Sequence, residues 1–149
     1  MKSISAASAH LSINYIGMQK WDEAKTYLEK ALDIEQKSVS EKNYLGIIDL
    51  YDMLGNIYLN GPNNVIKAIE IYTKILEIAK KFDDKNNQLQ ALGSLAICFE
   101  RQNKLESALE YYKKALIVSE DLKENKYFDV LQKKITDLEK SLPVASPAK

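Results

Sequence analysis

The chain has 149 residues, with Lys plus Arg and Asp plus Glu both at 21, 46% hydrophobic and 28% charged side chains, five Gly and three Pro. That length buries roughly 68–70% of the unfolded surface in one core without staples, and so few Gly and Pro exclude collagen-like and loop-rich classes. Zero formal charge and a single arginine, Arg101, argue against nucleic acid or an anionic membrane surface as partner. The lone Cys98 excludes an intramolecular disulfide or a cysteine-based metal centre and points to a reducing, cytoplasmic setting.

The first predicted helix carries Leu11, Ser12 and Tyr15 on one face. From Ser3 to Gln19 it has no charge unless His10 is protonated. Its opening apolar stretch is too short and too serine-rich for a secretory leader, and no run in the chain approaches the roughly 18 residues that span a bilayer. A turn over Gly17 to Lys20 leads to a second helix with Ala24, Leu28, Ala31 and Leu32 at spacings of 3 and 4. Ser38 with Glu41 three later reads as a capping box that starts the next helix, on which Leu54, Gly55 and Tyr58 share a face. The Asn60-Gly61-Pro62-Asn63-Asn64 turn then precedes Ala68, Tyr72, Ile75 and Leu76.

A third pair follows in the same form. Leu95, Ala96 and Phe99 lie on its first helix, Gln102 to Lys104 form the turn, and Ala108, Tyr112, Ala115 and Leu116 lie on the second. Phe128, Leu131, Ile135, Leu138 and Leu142 make a last apolar stripe, opposite Lys126, Asp129, Lys133, Lys134, Asp137, Glu139 and Lys140. This is the pattern of a capping helix with a wet outer side, ended by Pro143. Residues 143–149 are expected to be a flexible tail.

The three pairs are copies of one unit. From Ser12 to Ala24, Gly55 to Ala68 and Ala96 to Ala108 the small residues are 12, 13 and 12 apart. Such residues let paired helices approach closely, while Tyr15, Tyr58, Phe99, Leu28, Tyr72 and Tyr112 fill the space beside the contact. This small-and-bulky pattern resembles the tetratricopeptide repeat family. Leu28 stands where that family usually has an aromatic, with Tyr27 beside it, and Ile75 stands where it usually has alanine. The spacing of Ala24, Ala68 and Ala108, 44 and 40 residues, exceeds the family's usual period of about 34. It resembles the lengthened repeats of LGN/Pins-type adaptors, kinesin light chains and bacterial Rap-type peptide sensors. Extra turns are then expected at the junctions, around Lys37 to Asn43 and Lys80 to Asn87. The resemblance implies an all-α, right-handed α-α superhelix spanning residues 3–142 as one domain, with hairpins at about 3–37, 40–81 and 85–122 and a capping helix at about 126–141.

Catalytic chemistry finds no constellation. His10 lies two repeats from Cys98, so neither has a partner for nucleophilic catalysis. Asp83-Asp84, Glu120-Asp121, Lys113-Lys114 and Lys133-Lys134 read as solvated charge, and no phosphate loop, zinc spacing or calcium loop occurs. No enzyme activity, metal or cofactor is expected.

The resemblance implies instead a protein or peptide partner held by the first helices of the pairs. At 100° per residue, Asp49, Asp52, Asn56 and Leu59 share a face about a third of a turn from the packing face. Ala6, Ala9, Ile13 and Ile16 occupy matching positions in the first repeat, as do Gln90, Gly93, Ile97 and Glu100 in the third. Ile13, Asp49, Asp52, Asn56, Leu59, Gln90, Ile97 and Glu100 are therefore the candidate groove residues, apolar toward the N-terminus and mildly acidic in the middle. Leu54-Gly55-Asn56-Ile57-Tyr58 is similar to the LGN-type motif whose asparagine meets a partner peptide, and an amide can donate and accept together. Ala9, Asp52 and Gly93 replace the lysine positions of chaperone-binding relatives, so an acidic chaperone tail is not the expected ligand. A ligand with apolar anchors and Lys or Arg is. Two rivals stand beside this adaptor reading. One is a homo-oligomer assembled through Ile4, Leu11 and Ile16 of the uncharged first helix, because a terminal repeat should otherwise have a polar outer face. The other is a small-peptide sensor.

Overall fold

The computed structural model describes residues 2–61, 64–122 and 126–142, with side chains from His10 onward. Ile4, Ala6, Ala9, the Pro62-Asn63 step, Pro143 and the expected tail lie outside the described residues or side chains. Among the described residues seven α-helices follow in chain order: α1 Lys2–Gly17, α2 Trp21–Glu35, α3 Tyr44–Asn60, α4 Val65–Lys81, α5 Lys85–Arg101, α6 Leu105–Glu120 and α7 Phe128–Ser141. No strand occurs among the described residues.

Local chemistry accounts for most helix ends. Asp22 and Glu23 in α2, Glu106 in α6 and Asp129 in α7 place negative charge in the first turn, where the helix dipole favours it. Asn64 caps α4 by accepting from the Lys67 amide at 3.2 Å, and Asp84 caps α5 by accepting from the Asn87 amide at 3.1 Å. Lys80 and Lys81 close α4, and Arg101 closes α5. Two hairpin turns are built identically. The Lys20 amide reaches back to the Tyr15 carbonyl (2.8 Å) and the Gln19 amide to Ile16 (2.9 Å); Lys104 reaches Phe99 (2.9 Å) and Asn103 reaches Glu100 (2.9 Å). This is the Schellman arrangement, which needs a left-handed residue, here Gln19 and Asn103, both at φ 57°.

The helices fall into two compact units, Met1–Phe82 and Asp83–Lys149. In the first, α1 pairs with α2, α3 pairs with α4, and α2 packs on α3. In the second, α5 pairs with α6 and α7 covers α6. Ser12, Ala24, Ala68, Ala96 and Ala108 are fully buried, and Gly55 is buried with them. The small residues that recur in the sequence therefore lie where helices touch. Leu28, Tyr72 and Tyr112 are buried beside them, whereas Tyr15 and Phe99 are half-buried. These two instead stack on Tyr27 and Tyr111 at 5.5 and 5.2 Å, one position from the bulky residues of the pattern. Two glycines owe their presence to close approach. A Cβ on Gly55 would stand 2.8 Å from Tyr72 Cζ, and one on Gly61 would stand 2.8 Å from Trp21 Cγ.

The expected capping box at Ser38 does not form. After α2 the chain makes a 3₁₀ turn over Gln36–Ser38, and α3 begins only at Tyr44. Asn43 takes over the junction. Its Oδ1 accepts from the Ser40 amide (2.8 Å) and hydroxyl (3.1 Å), and its Nδ2 donates to the Ser38 carbonyl (2.9 Å). The Ser38 carbonyl is thus held in a turn by a residue five positions on. At the other junction only Phe82, Asp83 and Asp84 separate the 17-residue helices α4 and α5, so length expected in the connection resides in the helices.

Candidate functional site

The exposed face of α3 carries the first group of expected groove residues. Asp49 and Asn56 are exposed and Asp52 is half-buried. Asn56 Oδ1 accepts from the Tyr72 hydroxyl at 3.1 Å, and its Nδ2 faces Asp52 Oδ2 at 3.4 Å. Burial, and then the neighbouring Asp49 charge, push the Asp52 carboxyl above the usual carboxylate range. Neither aspartate forms an ion pair with a described cation. Leu59 departs from expectation, since it is buried at 6% exposure. It lies four residues, or about 40° of arc, from Gly55, so it falls within the wide packing stripe of α3 and supplies core.

In the second unit a cleft of about 500 Å³ opens between α5 and the start of α7. Along α5 it has an apolar row, Leu89, Gly93 and Ile97, flanked by an uncharged polar row, Asn86, Gln90 and Ser94. Each row repeats every four residues, one rise of about 6 Å. Tyr127, just before α7, and Val130 and Leu131 of α7 form the opposite wall, Leu122 closes the end, and Lys126 is the charged residue of the described lining. Nothing lies within 4 Å of a Cβ built on Gly93, so this glycine leaves room open toward the cleft. The structure thus brings Gln90, Gly93 and Ile97 together, as the spacing implies. It adds a wall of exposed apolar groups, Tyr127 at 49% and Val130 at 60%, that the single-stripe reading of the last helix passed over. Their spacing of three was the available signal.

Glu100 does not line this cleft. Its Oε1 accepts from the Tyr112 hydroxyl, and Lys134 Nζ lies 3.1 and 3.2 Å from its two oxygens. Burial, followed by the hydrogen bond and charge of Glu100, raises the Tyr112 phenol pKa. Lys134 is therefore a tie between α7 and α5 as well as part of a wet face. Lys113 likewise pairs with Glu139 of α7 at 3.1 Å. The charge of Glu100, a candidate groove residue of the third repeat, is thus neutralised from within.

On α1, Ile13 is 50% exposed and Leu11 41%, while Ile16 is half-buried; Met18, in the turn that follows, is 61% exposed. Cys98 is fully buried, and burial lifts its thiol pKa to about 11 against the opposing pull of Arg101. Such a thiol is the reverse of an activated nucleophile. The acidic pairs have structural uses: Asp84 caps α5, and Lys85 sits between Asp83 (3.6 Å) and Asp121 (4.0 Å). Among the described residues no helix is long and apolar enough to cross a membrane.

Tetratricopeptide repeat models match residues 6–38 and 63–120, together more than half of the chain. The chain belongs to the tetratricopeptide repeat family. Solved structures agree on the fold. The apo form of RapI matches at TM-score 0.79 and 17% identity over 93% of this chain. The N-terminal domain of stress-induced protein-1 from C. elegans matches at 0.72 and 17% over 91% of this chain and 94% of that one. The TPR domain of Arabidopsis FLU matches at 0.68 and 21% over 81% of this chain and 98% of that one. The chain spans about half of the RapI chain, 49%. No curated protein matches the sequence significantly. Tetratricopeptide repeats are in general protein–protein interaction modules, and this chain has their hairpin architecture.

Proposed function

We propose that this tetratricopeptide repeat protein is a non-catalytic adaptor in which the exposed face of α3 in the first unit and that of α5 in the second each take up an extended segment of partner polypeptide. The open, apolar-walled cleft over Gly93, at positions the repeat spacing marks as groove, carries this reading. The polar row Asn86, Gln90 and Ser94 recurs at about 6 Å, close to the two-residue repeat of an extended chain at about 3.3 Å per residue. Main-chain groups can therefore meet the amides while alternate side chains enter the apolar row. Asp49 and Asp52, unpaired with any described cation, favour Lys or Arg in the stretch that lies on α3.

Selection of a random dodecapeptide library displayed on phage tests the reading, followed by fluorescence anisotropy of the selected peptides. The expected peptides combine Leu, Ile or aromatic residues with Lys or Arg, and Asn56→Arg abolishes the binding of those that α3 holds. Enrichment of acidic peptides, or full binding by the Asn56 variant, overturns it.

The exposure of Leu11, Ile13 and Met18 supports a second reading, a self-associating scaffold joined through α1. Light scattering across concentrations separates the two: Leu11→Glu disperses an assembly under the second reading and leaves peptide binding intact under the first.

A further inference from the structure

We infer that Tyr72 is a positioning residue for partner recognition: its hydroxyl locks Asn56 as a hydrogen-bond donor beside Asp52, so that α3 reads a main-chain peptide unit. This rests on the groove reading above. An exposed asparagine on a helix normally turns freely about its terminal torsion, offering either its oxygen or its nitrogen. Here two neighbours choose the same orientation. The carboxylate of Asp52 can only accept, so the amide must face it with Nδ2, at 3.4 Å. The oxygen then falls to the Tyr72 hydroxyl, which donates to it at 3.1 Å. Tyr72 is held in turn by burial at 1% exposure and by Gly55, which lets the ring lie against α3 where a Cβ would come within 3.2 Å of the hydroxyl oxygen.

A free Nδ2 hydrogen and an adjacent carboxylate remain for the ligand. In an extended chain the C=O and N–H of one residue point to the same side, so one residue can satisfy both groups whatever its side chain is. The other hairpins lack the device. Tyr112 occupies the place of Tyr72, but Ile97 stands where Asn56 does, and the Tyr112 hydroxyl goes to Glu100, already tied to Lys134. In the first hairpin Leu28 has no hydroxyl to give. Main-chain recognition is thereby assigned to the second hairpin.

The test uses the whole protein and the dodecapeptides selected on it, with anisotropy as readout and ¹⁵N relaxation of the Asn56 side-chain amide as a second measurement. Tyr72→Phe is expected to weaken binding about 5–10-fold, the worth of one lost hydrogen bond, with the Asn56 amide released to the order parameter of an exposed side chain. Asn56→Asp keeps the acceptor toward Tyr72 but removes the donor, and weakens binding further. Tyr72→Phe in an Asn56→Ala background adds no further loss. The positioning role is overturned if Tyr72→Phe binds as wild type while Asn56→Ala does not, if the two losses add, or if the Asn56 amide stays ordered without the hydroxyl. Unchanged binding by Asn56→Ala sinks the groove reading itself. If no peptide is selected, the relaxation measurement on the free protein still decides whether Tyr72 orders Asn56.

Discussion

Single residues carry more constraint here than their chemistry suggests. Gly55 is the clearest, because the Tyr72 ring occupies the space a methyl group would need. Gly55→Ala should cost about 1–3 kcal/mol by overpacking, read as a lower urea midpoint, despite the better helix propensity of alanine. Gln19 shows the opposite economy. It holds a left-handed backbone at φ 57° in the Schellman turn after α1, a place that favours glycine. Gln19→Gly should raise stability by about 0.5–1 kcal/mol in the same assay. Asp52 yields a prediction in pH. Its carboxyl pKa is raised by burial and by Asp49, so the group favours folding below its unfolded range near pH 4 and opposes it as pH rises through the raised folded value. Asp52→Asn should therefore be more stable than wild type at pH 7 and no different at roughly pH 3. Equal gains at both values would show that relief of the charge is not the cause.

At the scale of elements, α5 illustrates how one helix serves two faces. Leu92, Leu95, Ala96 and Cys98 go into the core, while Leu89, Gly93 and Ile97 border the cleft. Gly93 is a poor helix former with empty space beside it. Gly93→Ala should thus stabilise the protein by about 1 kcal/mol, raising the thermal midpoint by roughly 2–4 °C, and leave peptide binding in place. Gly93→Leu should keep the fold but fill the cleft and cost about 1.5–3 kcal/mol of peptide affinity, the worth of one buried aliphatic side chain. An affinity unchanged in Gly93→Leu would remove the cleft from the binding surface. Helix existence was legible throughout, because apolar residues recur with the helical period. Helix starts were less so. Ser38 and Glu41 have the form of a capping box, yet Asn43 captures the Ser38 carbonyl and α3 starts at Tyr44. A capping box works only where a helix begins at its serine, and the four-residue pattern does not record that the chain turns through Ser40 to Asn43 first.

Across the whole molecule the packing is local, with each helix in the two units touching mainly its neighbours in sequence. Stability in such proteins is close to a sum of neighbouring terms. Leu95→Ala, at a site with 1% exposure, should cost about 2–5 kcal/mol. Native-state hydrogen exchange should show the loss concentrated in α5, α6 and α7 rather than in α1 and α2; a uniform loss would mean that the chain unfolds as one cooperative body. The same locality explains what could be read in advance. Hairpin pairing and the buried set Ser12, Ala24, Gly55, Ala68, Ala96 and Ala108 were determined by the sequence itself, since helical periodicity and side-chain size act over a few residues. Which polar groups stay available for a partner was decided only by tertiary structure. Glu100 is consumed by Lys134, 34 residues away, Asn56 is oriented by Tyr72 on the neighbouring helix, and Val130 becomes a cleft wall once α7 docks. Hydrogen bonds and ion pairs join residues distant in sequence, and no local pattern records which distant residue will arrive.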